Sequence, residues 1–186
     1  EKTLSGVCGM RMQKAQGTAC GSGAYCLLRF EQARKFGLLT GVAMTAKEPV
    51  SGDSHAFEGL NDGRYMLMIC DGMGSGEAAR RESAAAVSLV ENFYLAGFDD
   101  AIIFDTINRL LILKSNEEMF TTVDLCVIDL RTGAARFTKI GAECSYILSR
   151  DGVKTVTPGS LPIGILDEVA PISIHKTLAK GDMIVM

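Results

Sequence analysis

The sequence predicts an α+β fold of largely antiparallel sheets covered by helices. Three observations carry that expectation. Apolar runs with strand character precede and follow one block of helical periodicity, rather than alternating with it. Short turn sequences join the strand candidates: Asn61-Asp62-Gly63, Arg131-Thr132-Gly133 and Asp151-Gly152. Turns this short favour hairpins over crossovers. The 186 residues, 47% of them hydrophobic, suffice for one domain with a substantial core.

Residues 1–23 are rich in Gly, Ser, Thr and Ala without clear periodicity, and read as a linker or lead-in. The domain itself is expected over residues 24–186. Ala24 to Phe30 is a short apolar strand candidate, and Phe36 to Ala46 is another, ended by Lys47-Glu48-Pro49. Asp53 to Leu60 and Arg64 to Cys70 flank Asn61-Asp62-Gly63 and form a predicted hairpin. If Leu60 faces Arg64, counting back along both strands places Asp53 opposite Asp71. Directly opposed residues share a face, with Cβ atoms roughly 4.5–5.5 Å apart. A bulge at the turn would shift the register by one and separate the two side chains. Tyr65 to Ile69 is apolar on both faces, the mark of a central strand.

Ser75 to Ala96 has helical spacing, with Ala79, Ala86, Val90 and Phe93 near one face. Glu77 suits the positive N-terminal end, and Gly97 ends the helix. Asp99 caps a second helix from Asp100 to about Ser115, with Phe98 and Ile103 placed for a hydrophobic staple. The short link implies an antiparallel helix pair. After Asn116-Glu117-Glu118 strands return: Thr121 to Leu130, Ala134 to Ile140, Cys144 to Ser149, Val153 to Val156, Ile172 to Thr177 and Asp182 to Met186. Leu161-Pro162-Ile163-Gly164-Ile165 reads as a loop with an apolar anchor.

Composition narrows the function classes. A formal charge of −3 gives no broad electrostatic reason to bind nucleic acid. No stretch is long and apolar enough to cross a membrane, and no secretory signal pattern opens the chain. Glu1 at the start suggests an excised piece of a longer protein. Cys8, Cys20, Cys26, Cys70, Cys126 and Cys144 contain no C-x-x-C pair, so a reducing, cytoplasmic setting is the default. Cys8, Cys20 and Cys26 have gaps too irregular to favour zinc over free thiols. The methionines, Met66, Met68 and Met73 among them, read as core filling.

The chemistry gathers at Cys70-Asp71-Gly72-Met73-Gly74-Ser75-Gly76. Two carboxylates opposed across a hairpin repel unless a proton or a cation lies between them. The nearest basic residues in sequence are Lys47, Arg80 and Arg81. Carboxylates with a main-chain carbonyl suit a hard divalent ion, and Gly72 lets the chain turn its carbonyl toward one. The natural work of such ions is phosphoryl hydrolysis. The plainer alternative is an Asp-Gly turn after a strand. The glycines lack the spacing of a dinucleotide fingerprint or a phosphate loop. His55 shares the face of Asp53, as an acid, a further ligand or, more simply, a packing side chain. His175 reads as solvated. Asp124 is either a support for the site or a surface carboxylate. Arg80 and Arg81 either steer a phosphoprotein or form a solvated helix face.

Ser51-Gly52-Asp53-Ser54 followed by Asp71-Gly72-Met73-Gly74-Ser75-Gly76 resembles the PPM-type metal-dependent serine/threonine phosphatases, and among them most nearly the stage II sporulation protein E family. Thr121-Thr122-Val123-Asp124-Leu125, Ile128-Asp129-Leu130 and Leu161-Pro162-Ile163-Gly164 extend the resemblance from about residue 36 onward. It implies a four-layer α-β-β-α sandwich with a two-metal centre holding Mn²⁺ or Mg²⁺. By motif position Asp53 and Asp71 are the implied catalytic metal ligands, and Gly72 offers its carbonyl. The implied substrate is a small phosphorylated anti-anti-sigma protein, whose dephosphorylation leads to activation of a sporulation sigma factor. The resemblance also implies a cytoplasmic domain of a membrane-anchored protein, compatible with a homodimer. The two helices after the motif resemble the family's regulatory switch helices. The family pattern continues with Ser-Asp-Gly and ends in an Asp-Asp pair, both beyond Met186. The expectation for the chain alone is therefore a phosphatase domain lacking part of its centre, binding metal poorly and turning over slowly. The alternatives are a regulatory or interaction module of the same fold, or a stress-response phosphatase of the same superfamily.

Overall fold

A computed structural model describes residues 1–15, 27–45, 49–72, 74, 76–114, 121–157, 161–163 and 171–186. Expectations resting on Cys20, Cys26, Lys47, Glu48, Met73, Ser75, Asn116-Glu117-Glu118 and Gly164-Ile165 lie outside those residues. The centre is a five-stranded antiparallel sheet in the order β3-β4-β5-β6-β9. Its strands are β3 (Asp53–Gly59), β4 (Arg64–Asp71), β5 (Val123–Asp129), β6 (Ala134–Ile140) and β9 (Ile172–Thr177). A three-stranded sheet holds β7 (Ser145–Ser149) between β8 (Gly152–Val156) and β10 (Met183–Val185). Helices α2 (Gly76–Leu95) and α3 (Asp100–Lys114) stand between β4 and β5 in sequence.

The layers follow from alternation along the strands. Met66, Met68 and Cys70 of β4, with Val123, Leu125 and Val127 of β5, join Ala86, Val87, Val90, Ile103, Phe104 and Ile107 of the helices in one core. Leu67, Cys126, Ile128 and Phe137 point the other way, into a second core with Ile147 of β7 and Val156 of β8. The central strands β4 and β5 are thus buried on both faces, between the helix pair and the smaller sheet. Met66 and Met68 have no exposed surface, and each such side chain contributes about 2 kcal/mol by burial. Helix pair and two sheets are three of the four expected layers. The outer face of the smaller sheet exposes Tyr146, Val153 and Met183, and no described helix covers it.

Several local expectations change. Residues 1–23 looked aperiodic, yet α1 (Lys2–Cys8) is helical, and β1 (Met12–Lys14) pairs with β2 (Phe30–Gln32). Over its described residues, 27–30, the candidate strand Ala24 to Phe30 is strand only at Phe30, which opens β2. The candidate strand Phe36 to Ala46 is not a strand over its described part. Lys35 and Phe36 both spend their N–H groups on the Leu130 carbonyl. Phe36 and Leu38 pack on the second core, but Leu39 is fully exposed, and no described strand pairs with this segment. β5 is buried from Val123 to Ile128 on both faces, as a central strand is.

Candidate metal centre

The hairpin register is the one obtained by counting. Gly63 takes φ +82°, which a left-handed turn position needs, and Leu60 donates its N–H to the Arg64 carbonyl at 2.9 Å. No bulge intervenes, and β3 pairs with β4 from Gly59↔Tyr65 to Asp53↔Asp71. The two carboxylates therefore share a face at the end of the hairpin. Ser51 donates its hydroxyl to Asp53 Oδ2 at 3.0 Å, and Asp53 N–H donates to Ser51 Oγ at 3.3 Å. The Asp71 carboxyl is held above the ordinary carboxylate range, first by burial, then by a hydrogen bond to Asp53 and by its negative charge. Two carboxylates this close each make ionisation of the other less favourable.

The main chain around the pair is fixed from two sides. Asp71 N–H donates to Thr122 Oγ1 at 3.1 Å, while its carbonyl accepts from Thr121 Oγ1 at 2.8 Å and from Thr122 N–H at 3.0 Å. Thr121 also exchanges main-chain hydrogen bonds with Ile163, the buried anchor of its loop. On the helical side, Ser83 of α2 donates to the Gly52 carbonyl at 2.6 Å and meets Ser54 Oγ at 2.8 Å. A Cβ at Gly72 would stand 2.4 Å from the Ala79 carbonyl oxygen and 3.1 Å from that of Gly52. Only glycine lets α2 approach the strand end this closely.

Two carboxylates and nearby main-chain oxygens are hard donors of the kind that Mg²⁺ and Mn²⁺ take. Among the described residues, no group of three or more His, Cys, Asp and Glu gathers at one point. His55 lies half-buried opposite Ile69 with its ring 5.4 Å from that of Phe57, a packing position. His175 is exposed in β9.

Asp124 is no surface carboxylate. It faces Ile69 across the β4–β5 ladder and is 7% exposed. Lys139, 1% exposed, meets Asp124 Oδ2 at 2.7 Å, and Ser145 donates to the same oxygen at 2.9 Å. Lys139 also donates to the Glu143 carbonyl at 2.6 Å. Burial pushes the Asp124 carboxyl upward, while Lys139 and Ser145 work against that rise. This buried ion pair was missed in the sequence, although counting back from Arg131-Thr132-Gly133 pairs Asp124 with Lys139. Thr121, Thr122 and Ser83 were also missed as supports. Their roles depend on non-local contacts that spacing does not encode.

Comparison with known proteins agrees with the fold. Residues 61–186 match the family model described as Stage II sporulation protein E (SpoIIE). Stage II sporulation protein E of Priestia megaterium is 37% identical over 164 residues, which is 87% of this chain and 28% of that protein. The chain thus spans little more than a quarter of that relative. A solved structure of the PP2C phosphatase domain and a regulatory-domain fragment of SpoIIE from Bacillus subtilis superposes with a TM-score of 0.78 at 32% identity, over 97% of this chain and 55% of that one. RsbX, solved in complex with magnesium, shares the fold at a TM-score of 0.59 and 23% identity, over 74% of this chain and 66% of that one.

Proposed function

The chain belongs to the stage II sporulation protein E family, and from that premise we propose that it is the metal-dependent phosphatase domain of a phosphoserine protein phosphatase. The observation that carries this reading is the register that sets Asp53 opposite Asp71, neither of which forms an ion pair with a described residue. Asp53 and Asp71 would hold Mn²⁺ or Mg²⁺, with the Gly72 carbonyl as a further donor. Bound there, the ion supplies charge screening for phosphate oxygens and lowers the pKa of a water. The chain's own residues do the positioning. Ser51 orients the Asp53 carboxylate, and Thr121 and Thr122 fix the Asp71 main chain. Gly72 admits α2 close to the strand end.

The proposed substrate is a small phosphorylated anti-anti-sigma protein, and the proposed consequence of its dephosphorylation is activation of a sporulation sigma factor. Family membership supports both, as it supports a membrane-anchored parent protein. No described helix is long and apolar enough to cross a membrane. The test is release of phosphate from a phosphoserine protein by the full-length protein with Mn²⁺ present. Asp71→Asn should cost more than the roughly 10–100-fold that loss of an outer-shell partner of a metal costs. Full activity in that variant would overturn the assignment.

A further inference from the structure

A groove of about 530 Å³ runs beside β3 and opens at Asp53. One wall is the face of α2 that carries Arg80, Ala84, Val87 and Glu91, which follow one another at four-, three- and four-residue steps. The opposite wall is β3, where every residue from Asp53 to Phe57 lines the groove, and Met44, Pro49, Val50 and Ser51 border the space as well. Successive strand side chains point to opposite faces, so a space that meets them all runs along the edge of the strand. β3 is the outermost strand of its sheet, and no described strand pairs with that edge. An unpaired strand edge presents main-chain donors and acceptors to any extended chain that reaches it.

The groove also has electrical polarity. The hydrogen bonds of Ser83 to Gly52 and Ser54 fix the early part of α2 beside Asp53. Arg80 lies one turn earlier, so it stands at the Asp53 end, and it is exposed. No described residue forms an ion pair with it. Glu91 lies farther along the same helix, about 16 Å beyond Arg80 at the rise of an α-helix. That span equals about five residues of extended chain. Arg81 does not line the groove.

We propose that this groove receives an extended segment of the phosphoprotein, added as a strand to the β3 edge. Its phosphate sits at the Arg80 end and a Lys or Arg about five residues away sits at Glu91. The proposal rests on the phosphatase reading above for the nature of its ligand. Main-chain pairing supplies affinity and the two charged ends supply direction. The phosphate also meets the Asp53–Asp71 pair, which repels it until a divalent ion offsets their charge.

The test uses the full-length protein with Mn²⁺ and fluorescent peptides carrying the phosphonate analogue of phosphoserine, which resists hydrolysis. Peptides carry Lys or Glu five residues to either side, and affinity is read by anisotropy. The phosphonate should tighten binding about tenfold over the serine peptide, and Arg80→Ala should remove that gain. Lys should be preferred to Glu about threefold on one side, and Glu91→Lys should reverse the preference. Methylating alternate peptide main-chain amides should weaken binding about tenfold. Equal affinity for phosphonate and serine peptides, or both protein variants matching the wild type, overturns the groove; indifference to methylation overturns strand pairing. Hydrolysis of p-nitrophenyl phosphate by the wild type, a substrate too small to fill the groove, reads the phosphatase assignment separately. Its absence alongside the expected peptide results removes the enzyme reading and keeps the groove.

Discussion

Asp53 and Asp71 face each other across the hairpin, so each makes ionisation of its neighbour less favourable. The raised Asp71 carboxyl holds its proton more tightly in the folded chain than in the unfolded one. The stability linked to that proton is full below the ordinary carboxylate range and is lost as pH rises through the raised value. The metal-free protein should therefore lose thermal stability as pH climbs through that window. Asp53→Asn should flatten the loss, and pH-dependent melting curves with a chelator check it. A second residue-scale expectation concerns Lys139. Lys139→Met leaves the buried Asp124 carboxyl without its cation and should cost about 3–5 kcal/mol in urea unfolding. A cost below 1 kcal/mol would mean that the pair is not buried as described. The Asp53–Asp71 pairing was legible in the sequence because one three-residue turn sets the register, and counting does the rest. Asp124 and Lys139 obey the same arithmetic across the next hairpin. What the sequence could not supply there was burial, which turns a strand carboxylate into half of an ion pair.

At the scale of elements, α2 is seated by contacts at both of its ends. Its first turns meet Gly72 and Gly52 closely, and Ser83 ties it to β3. Gly72→Ala would push a methyl group against the Ala79 carbonyl, so the helix start must shift. That should cost about 1–3 kcal/mol, as overpacking does elsewhere, and weaken Mn²⁺ binding in the same variant, as unfolding and calorimetry would show. Near its other end, Tyr94 donates to Asp100 Oδ1 at 2.6 Å, and Arg136 of β6 donates to the same oxygen at 2.6 Å. This cluster clamps both helices to the sheet, and the burial of Tyr94 pushes its hydroxyl pKa upward. Tyr94→Phe should cost about 1 kcal/mol, because Arg136 still satisfies Asp100. The helix pair was readable from its 3.6-residue spacing and from Gly97. The segment from Phe36 onward was misread because its apolar composition reflects anchoring of Phe36 and Leu38 on the second core, not pairing with a neighbour.

At the scale of the whole molecule, two cores on either face of one sheet hold the β3–β4 hairpin rigid, and the site sits where that hairpin ends. The order of strands, helices and strands made the α+β class legible. The division into a five-stranded and a three-stranded sheet was not, because hairpin turns fix neighbours in sequence but not which sheet a hairpin joins. β10 illustrates this. It pairs with β7 across a long stretch of chain, whereas β9 joins β6 in the other sheet. If Asp53 and Asp71 together hold one divalent ion, neither carboxylate can be spared. Calorimetric titration of the full-length protein with Mn²⁺ tests it most directly, comparing wild type, Asp53→Asn, Asp71→Asn and the double variant. Each single variant should lose the site, and the double variant should bind no worse than either single. Wild-type affinity in both single variants would contradict the claim.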